Sequence, residues 1–460
     1  MKKLFYILFF FLPVVVSAQF SLYKDSPLDY AWKNVGNAGF SAGGAGYTSL
    51  AFSPSGQPYV AFKDGGHSGK ATVMKFDGIS WINVGVAAFS AGEAENTSLA
   101  LSPSDGEPYV AYQDWGNSYK ATVMKYDGNN WVNVGNAGFS EWRAYYPSLA
   151  FSPSNGQPYV AYMDAMISNK ATVMKFDGTN WVNVGNAGFS AGAAEQISFA
   201  FSLTGEPYVT YSDGANSWKA TVMKFDGTSW EIIGNAGFSS IAVNCPNIAF
   251  SLSGQPYVVY SDGGNNQQAT VMKFDGTNWV NVGNESFTIG GALSTRLAFS
   301  LIGEPYVAYS DGANSWKATV MKFDGTNWVY VGLPDFSAGT AESISLAFSL
   351  TGQPYVAYED EGNFFKATVM YYDAPVEINE LQSSQILLYP NPANDIITIE
   401  TSTTPTQSQL SIMNINGQVL ITRQITGPKT QIDISSLPGG VYFIRLTNER
   451  TVDVGKFIKQ

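Results

Sequence analysis

The sequence predicts an all-β protein built from one repeated unit, and three observations support this prediction. The tripeptide Pro-Tyr-Val occurs seven times at intervals of 49 or 50 residues, a period typical of the blades of a β-propeller. Gly, Thr, Val and Tyr are abundant while Glu, Lys and Arg are scarce, which disfavours helices. Each unit contains four short β-type runs, the number of antiparallel strands in one blade. We therefore expect a seven-bladed β-propeller over residues 29–373.

The second unit shows how each blade is assembled. A first strand is predicted at 98–102, followed by a tight turn, and a second strand at 108–112 begins with Pro. Pro fits the head of a strand because its missing N–H costs least there. The third strand spans 120–126 and ends in Asp-Gly, a strong hairpin signal. The fourth strand begins at Trp131, and the pattern repeats in the other units.

The ends of the repeat array indicate that the ring is closed. A Trp-x-x-x-Gly signature marks each fourth strand and begins at Trp32, Trp81, Trp131, Trp181, Trp230, Trp279 and Trp328. The first copy precedes every other strand, and the last unit ends near Asp373 without a fourth strand. We therefore expect residues 32–36 to pair with the third strand of the last unit, which removes the open sheet edge.

One Asp ends the second strand of every unit. A Lys follows six residues later in six units, and Gln268 replaces it in the other. The two ends of a hairpin loop lie close together, so we expect the Asp to make a loop hydrogen bond or a salt bridge. Calcium binding is the alternative, because Asp-Gly-x-Asn loops also supply oxygen ligands. The seven positions are Asp64, Asp114, Asp164, Asp213, Asp262, Asp311 and Asp360.

Composition and charge exclude several classes of function. The chain has one His, His67, and one Cys, Cys245, which exclude a disulfide framework and His/Cys zinc sites. The net charge of −12 disfavours nucleic-acid binding, which needs clustered Lys and Arg. We predict no cofactor and no metal site.

The loops that differ between units are the predicted functional region. Chain order places the loops after the second strands and the loops between blades on one face, where aromatic side chains and both propeller arginines gather. Such residues suit a glycan- or protein-binding surface. The alternative is that they have only a structural role and cover the loops beneath them. The candidate ligand-binding residues are Trp115, Tyr119, Trp142, Arg143, Tyr145, Tyr146, Trp218, Arg296, Trp316, Phe364 and Phe365.

An enzyme is the alternative interpretation of this face, because a pair of carboxylates could hydrolyse a glycoside. No two of the available carboxylates stand out in sequence, so no catalytic residue is assigned and a non-enzymatic function is favoured. The available residues are Glu93, Glu95, Glu141, Glu195, Glu285 and Glu342. A structural or adhesive surface component is a further alternative.

The amino terminus has the pattern of a signal peptide over residues 1–18. Lys2 and Lys3 precede an apolar stretch at 4–16, and small residues end at Ala18. The 13 apolar residues are too few for a helix to cross a hydrocarbon core of about 30 Å. We expect cleavage before Gln19 and no transmembrane segment in the rest of the chain.

The last part of the chain differs from the repeats. A polar linker is predicted at 374–385, and short Ile-, Thr- and Val-rich runs at 386–460 predict a small β-sandwich. Within it stand Leu-Tyr-Pro-Asn-Pro-Ala at 388–393, Asn-Gly-Gln-Val at 416–419, Leu-Pro-Gly-Gly-Val-Tyr-Phe-Ile at 437–444 and Lys-Phe-Ile-Lys at 456–459. This tail resembles the type A C-terminal sorting domain of the type IX (Por) secretion system. The motif residues are Tyr389, Pro390, Asn391, Pro392, Gly440, Tyr442 and Lys456.

The resemblance implies a route of export. Proteins with such a domain cross the outer membrane through the type IX machinery, and a sortase-like peptidase commonly removes the tail. The cargo is then released or attached to the outer cell surface. Cargo proteins include enzymes, adhesins and lectin-like proteins, so the resemblance leaves the function of the propeller open. The favoured interpretation is a secreted or cell-surface binding protein.

Overall fold

The computed structural model describes residues 31–264, 266–373, 386–401, 408–414, 419–425, 427–447 and 452–460. The predicted signal peptide at 1–18 and the predicted linker at 374–385 lie outside these residues, as do residues 415–418, which include part of one tail motif. Among the described residues, no helix combines the length and apolar character needed to cross a bilayer.

Residues 31–373 form seven four-stranded antiparallel sheets, the blades of a propeller. The first strands are β2 (Ala45–Phe52), β6 (Ala94–Leu101), β10 (Ala144–Phe151), β14 (Ala194–Phe201), β18 (Val243–Phe250), β22 (Ala292–Phe299) and β26 (Ala341–Phe348). The second strands are β3 (Pro58–Asp64), β7 (Pro108–Asp114), β11 (Pro158–Asp164), β15 (Pro207–Asp213), β19 (Pro256–Asp262), β23 (Pro305–Asp311) and β27 (Pro354–Asp360). The third strands are β4 (Lys70–Phe76), β8 (Lys120–Tyr126), β12 (Lys170–Phe176), β16 (Lys219–Phe225), β20 (Ala269–Phe274), β24 (Lys317–Phe323) and β28 (Lys366–Asp373). The fourth strands are β5 (Trp81–Asn83), β9 (Trp131–Asn133), β13 (Trp181–Asn183), β17 (Trp230–Ile232), β21 (Trp279–Asn281), β25 (Trp328–Tyr330) and, for the seventh blade, β1 (Ala31–Asn34).

The ring closes as the repeat array predicts. Strand β1 pairs with β28, so that Trp32 lies opposite Tyr372. The indole of Trp32 donates a hydrogen bond of 2.8 Å to the carbonyl oxygen of Val331 in the sixth blade and stacks on Phe336 with ring centroids 4.1 Å apart. Each of the other six signature tryptophans donates in the same way to the preceding blade. These residues are therefore inter-blade packing, as the sequence suggests.

The hydrophobic core lies between neighbouring blades rather than within one of them. One cluster, for example, joins Tyr59 and Val73 of the first blade to Leu99, Tyr112 and Trp131 of the second. Equivalent clusters repeat around the ring. The two faces of each sheet are covered by the preceding and the following blade. Charged side chains therefore fit in few places, which explains the charged fraction of only 13%.

The first strands are longer than predicted. The sequence places the first strand of the second blade at 98–102, whereas β6 begins at Ala94. A β-bulge accounts for the difference, because the register shifts between Glu95 and Ser98 and Asn96 has a left-handed φ of 53°. A bulge interrupts the alternation that marks a strand in sequence and re-aims the bulged side chain. The same shift occurs in all seven first strands.

The tail forms a β-sandwich, as predicted. Its strands are β29 (Ile386–Tyr389), β30 (Ile396–Thr401), β31 (Ser408–Asn414), β32 (Val419–Ile425), β33 (Lys429–Asp433), β34 (Gly440–Thr447) and β35 (Val452–Lys459). One sheet has the order β29-β30-β33 and the other β32-β31-β34-β35. Their inner faces enclose a single core that includes Ile397, Leu410, Ile444 and Phe457.

Candidate functional site

We call the face that carries the loops after the second strands, and the segments between blades, the upper face. Six of these loops contain a single-turn 3-10 helix, and in the fifth blade the loop includes residue 265, outside the described residues. The helices are Gly65–His67, Trp115–Asn117, Ala165–Ile167, Gly214–Asn216, Gly312–Asn314 and Glu361–Asn363.

The recurring Asp holds the upper loops together by hydrogen bonds. In the second blade the buried Asp114 carboxylate accepts from the backbone N–H of Gly116 at 2.9 Å, the Asn117 amide at 2.7 Å and the Thr122 hydroxyl at 2.8 Å. Asp114 lies opposite Lys120 in register, but the described ion pairs include none between the recurring Asp and this Lys. Of the two expected contacts of the recurring Asp, the structure therefore shows the loop hydrogen bond and not the salt bridge to Lys. No group of three or more candidate metal ligands occurs among the described residues.

Each upper loop ends in two consecutive residues with left-handed backbone. In the fourth blade these are Ser217 and Trp218, with φ of 57° and 62°. The N–H of Trp218 donates to the carbonyl oxygen of Asp213, and its own carbonyl oxygen accepts from Val243 of the next blade. The second left-handed residue of every blade accepts such an inter-blade bond. Its backbone is thus fixed by both its own loop and its neighbour.

The side chain at this second left-handed position is what changes from blade to blade. In chain order the residues are Gly69, Tyr119, Asn169, Trp218, Gln267, Trp316 and Phe365. A left-handed conformation costs an ordinary residue about 1–2 kcal/mol and is unusual for a bulky one. Four of the seven positions are nevertheless aromatic. Strain of this kind collects at ligand-binding sites, so the ring of positions is a candidate binding feature.

Three of the predicted residues form one aromatic and cationic cluster. The rings of Trp115 and Tyr119 lie 4.8 Å apart and are tilted by 57°. The guanidinium carbon of Arg143, from the segment leading into the third blade, lies 4.6 Å from the centre of the Tyr119 ring. Trp115 and Arg143 are exposed and Tyr119 is half-buried. The cluster therefore offers both an apolar surface and hydrogen-bond donors.

The Trp218 and Trp316 rings lie against the beginnings of their own loops, and Trp316 also lies against the segment that leads into its blade. A Cβ atom added at Gly312 would approach Cη2 of Trp316 to 3.0 Å, and one added at Gly291 would approach it to 3.1 Å. Cη2 of Trp218 would similarly lie 3.2 Å from a Cβ at Gly214. A side chain at these positions would therefore press against the indole. Both rings are thus supported from beneath while remaining about two-fifths exposed, at 41% and 36%.

The other predicted rim aromatics are more exposed. Trp142 is 51% exposed and Phe364 is 84% exposed, while Phe365 is 46% exposed. Phe364 and Phe365 form the left-handed pair of the seventh blade, with φ of 61° and 60°. Together with the cluster of the second blade and the two supported tryptophans, they place aromatic side chains on blades two, four, six and seven.

The predicted loop placement of Tyr145, Tyr146 and Arg296 is wrong. Tyr145 and Tyr146 belong to β10, because the bulge carries this first strand farther towards the upper face than the alternation of residues indicates. Arg296 belongs to β22, where it is the first paired residue after the bulge. Tyr145 pairs with Met163 and packs against the core of the third and fourth blades. Tyr146 and Arg296 line a cavity at the centre of the propeller instead of the rim.

The centre of the propeller contains a cavity of about 420 Å³ that sequence reasoning missed. All seven bulged residues line it, and each has a left-handed φ between 50° and 55°. Burial is the main cause that raises the pKa values of two of them, Tyr47 and Tyr146. In sequence these positions are variable residues between a nearly constant Ala and a nearly constant Ser, and this variation was the available signal. They are Tyr47, Asn96, Tyr146, Gln196, Cys245, Ser294 and Ser343.

The carboxylates of the enzyme alternative do not form one site. Lys63 pairs with both Glu93 and Glu95, and Glu285 accepts a hydrogen bond of 2.8 Å from the Ser240 hydroxyl. Glu342 lies directly opposite Glu359, which the sequence analysis did not single out. Burial, followed by the charge of Glu342, raises the pKa of Glu359.

The lower face, formed by the tight turns, has a different chemistry. Its first turns expose aliphatic side chains in blades four to seven, whereas the first three blades have Pro at the same place. Each Leu rests beside a glycine of the next blade, as Leu252 does beside Gly303 at 3.3 Å from a Cβ built there. The exposed residues are Leu203, Leu252, Leu301, Ile302 and Leu350.

The tail motif residues form two structural contacts. Both groups of the Asn391 side-chain amide bond to β35, since it donates to the carbonyl oxygen of Lys456 at 3.1 Å and accepts from Ile458 at 2.9 Å. Tyr442 donates from its hydroxyl to the carbonyl oxygen of Pro438 at 2.8 Å and stacks on Phe457.

The remaining motif residues lie around these contacts. Tyr389 bonds through its hydroxyl to Glu400, and the Tyr389–Pro390 and Asn391–Pro392 peptide bonds are both cis. Gly440 begins β34 opposite Lys459, and the Lys456 side chain is exposed.

The fold and the upper face define the chain as a β-propeller with an aromatic loop surface. Residues 387–460 match the family described as the secretion system C-terminal sorting domain. The tail is therefore a type IX sorting domain, which confirms the resemblance found in sequence and marks the protein for export to the cell surface or beyond it. No curated protein sequence matches the chain.

Solved structures with the same fold have low sequence identity to this chain. A lectin, BP39L from Burkholderia pseudomallei, is 15% identical over 73% of this chain and 97% of the lectin, with a TM-score of 0.53. An ulvan lyase of polysaccharide lyase family PL25 is 12% identical over 73% of this chain and 95% of the lyase, with a TM-score of 0.50.

A third similar structure is PorZ, a surface component of the type IX secretion system of Porphyromonas gingivalis. It is 14% identical over 92% of this chain, with a TM-score of 0.47, and this chain spans 61% of its length.

Proposed function

We propose that the propeller binds a glycan on its upper face. The observation that carries this proposal is the set of aromatic side chains held at left-handed loop positions, with their carbonyl groups bonded to the next blade and their rings exposed or half-buried. A ring that is already fixed in the free protein loses little conformational entropy on binding, and this loss is one of the main free-energy costs of association.

The chemistry of the face fits a sugar better than an extended apolar partner. Trp and Tyr combine a broad apolar surface with a polar group, and a pyranose ring presents apolar C–H faces bordered by hydroxyls. Arg143 beside Tyr119 supplies hydrogen-bond donors next to such a platform. The shared fold with a lectin is in keeping with this proposal.

We expect the affinity for a glycan to depend on the supported tryptophans. A glycan array probed with the mature protein should identify a ligand, and Trp218→Ala and Trp316→Ala should each weaken its binding about tenfold or more, the loss of a central aromatic contact. Isothermal titration calorimetry measures this loss directly. Leu301→Ala, which changes an exposed apolar residue on the lower face, should leave the affinity unchanged. No ligand on the array, or equal affinity of all three variants, would refute the proposal.

We also propose that export removes both ends of the chain. The signal peptide would be cleaved before Gln19, and the peptidase of the type IX system would cut within 374–385. The mature propeller would then be released or attached to the outer cell surface.

Intact-mass spectrometry of the exported protein tests this second proposal. The expected mass is that of a chain that begins at Gln19 and ends within residues 374–385. A chain truncated before residue 386 should stay inside the cell envelope, because the machinery could not recognise it. An exported protein that retains the tail would contradict the proposed processing.

A further inference from the structure

A ring of hydrogen bonds joins the first strands around the central cavity. The Ser49 hydroxyl, for example, accepts from the backbone N–H of Leu99 in the next blade at 3.0 Å. Five of the seven blades use Ser at this position, and the fifth blade uses Asn247, which accepts from Leu297 at 2.8 Å. Six of the seven junctions therefore carry the same bond.

In the sixth blade Arg296 stands at this position, and the ring of hydrogen bonds is interrupted there. A guanidinium has five N–H donors and no acceptor, so it cannot replace the serine oxygen at the junction with the last blade. The junction between the sixth and seventh blades therefore lacks this inter-blade hydrogen bond, which Ser makes in five other blades. A structural role does not explain this exchange.

The guanidinium has no anionic partner in the described part of the chain. Its one hydrogen bond joins Nη1 to the carbonyl oxygen of Thr295 at 2.9 Å, and none of the ion pairs includes it. The side chain is half-buried, and desolvation lowers the pKa of its guanidinium. A cation that is partly withdrawn from water is stabilised by a nearby opposite charge, so a bound anion would stabilise this position.

The rest of the cavity wall is uncharged and combines polar with apolar side chains, the latter including Ile197, Phe199 and Ile248. Arg296 is the only cation among the residues that line it, and no carboxylate does so. Hydroxyls and amides, such as those of Tyr47, Asn96 and Tyr146, surround the space. A volume of about 420 Å³ is within the range of small-molecule sites. These groups match a small ligand that has several hydroxyls and one negative charge.

We propose that the central cavity is a second binding site, in which Arg296 binds the carboxylate of an acidic monosaccharide unit such as a uronic acid. This site is separate from the aromatic upper face. The choice of a sugar as the carrier of the carboxylate rests on the proposed function, whereas anion binding at Arg296 does not. Glu95, Glu195 and Glu342 lie one residue before the bulged residues of their strands, so a ligand with several negative charges is disfavoured at the mouth.

Thermal unfolding of the purified full chain with added glucuronate tests the proposal. We expect glucuronate to raise the melting temperature, since a ligand that binds only the folded state stabilises it, and we expect glucose to have no such effect. Arg296→Ser, which restores the residue found in five other blades, should fold, should melt at a higher temperature without ligand, and should bind glucuronate about tenfold or more weakly. Arg296→Lys keeps the charge and should retain part of the affinity.

The controls separate this site from the upper face and from simple anion binding. Trp218→Ala should leave the response to glucuronate intact, so loss of glycan binding at the rim and loss of anion binding in the cavity are distinguishable. An equal response to acetate and sulfate, abolished by Arg296→Ser, would support the anion site but overturn the sugar as its ligand. No response of the wild-type protein, or the same response in Arg296→Ser, would overturn the proposal altogether.

Discussion

Trp32→Ala is expected to lower the free energy of unfolding by about 4 kcal/mol, the loss typical of a buried Trp that becomes Ala. Trp32 is 8% exposed, donates to Val331 of the sixth blade and stacks on Phe336. Its strand is also the only one by which the beginning of the propeller completes the last blade. The substitution therefore weakens the closure of the ring as well as one packing site. Urea denaturation followed by tryptophan fluorescence measures the effect.

Trp142→Ala is the matched control for this experiment. It removes the same side chain from an exposed position on the upper face, and surface substitutions usually change stability by no more than about 0.5 kcal/mol. If the two variants were equally stable, the closing strand would contribute nothing specific. A lower cooperativity of unfolding in Trp32→Ala would show that the blades separate once the ring is open.

Asp311→Ala is expected to lower the free energy of unfolding by about 3 kcal/mol, because it leaves three hydrogen-bond donors, among them the buried Thr319 hydroxyl, without their charged acceptor. The Asp311 carboxylate, 1% exposed, accepts from the N–H of Ala313 at 3.0 Å, the amide of Asn314 at 2.9 Å and the hydroxyl of Thr319 at 3.1 Å. The same loop carries Trp316, so the variant should also lose glycan affinity. Denaturation and calorimetric titration provide the two readouts.

Asp324→Ala provides the comparison for this second prediction. The Asp324 carboxylate also accepts two backbone N–H bonds of 2.8 Å, from Thr326 and Asn327, but in a fully exposed turn on the lower face, where water replaces a lost partner. We expect a much smaller loss of stability and unchanged glycan affinity. Equal effects of the two substitutions would mean that burial of the recurring Asp is unimportant.

The repeated architecture could be predicted from sequence because each decisive motif occurs six or seven times. The Trp signature located the fourth strands and the closure through Trp32, and the Pro-Tyr-Val and Asp-Gly motifs located the second and third strands. These signals are local, since each depends on the conformational preference or packing of residues close in sequence. The tail was recognisable for a similar reason, because several of its short motifs occur in a set order.

The central cavity could not be predicted because it depends on a bulge. In β22 the bulge at Ser294 lies just before Arg296 and hides the start of the strand, so Arg296 was assigned to the loop although it lies within the strand. The cavity also requires seven strands to converge, and no single unit contains that information. The rim aromatics were placed correctly on the upper face, but their left-handed backbone was not foreseen, since Trp and Phe seldom adopt it.

The bonding of the left-handed loop residues has a consequence for how the protein can diversify. Their backbone contacts are made by main-chain atoms, so the side chain can change without altering how neighbouring blades fit together. A duplicated blade would bring a new display position with it, and a single codon change would then alter the surface at that position alone. Each of the seven blades can therefore change its own displayed side chain while the backbone of the ring stays constant, so that binding specificity can evolve one blade at a time.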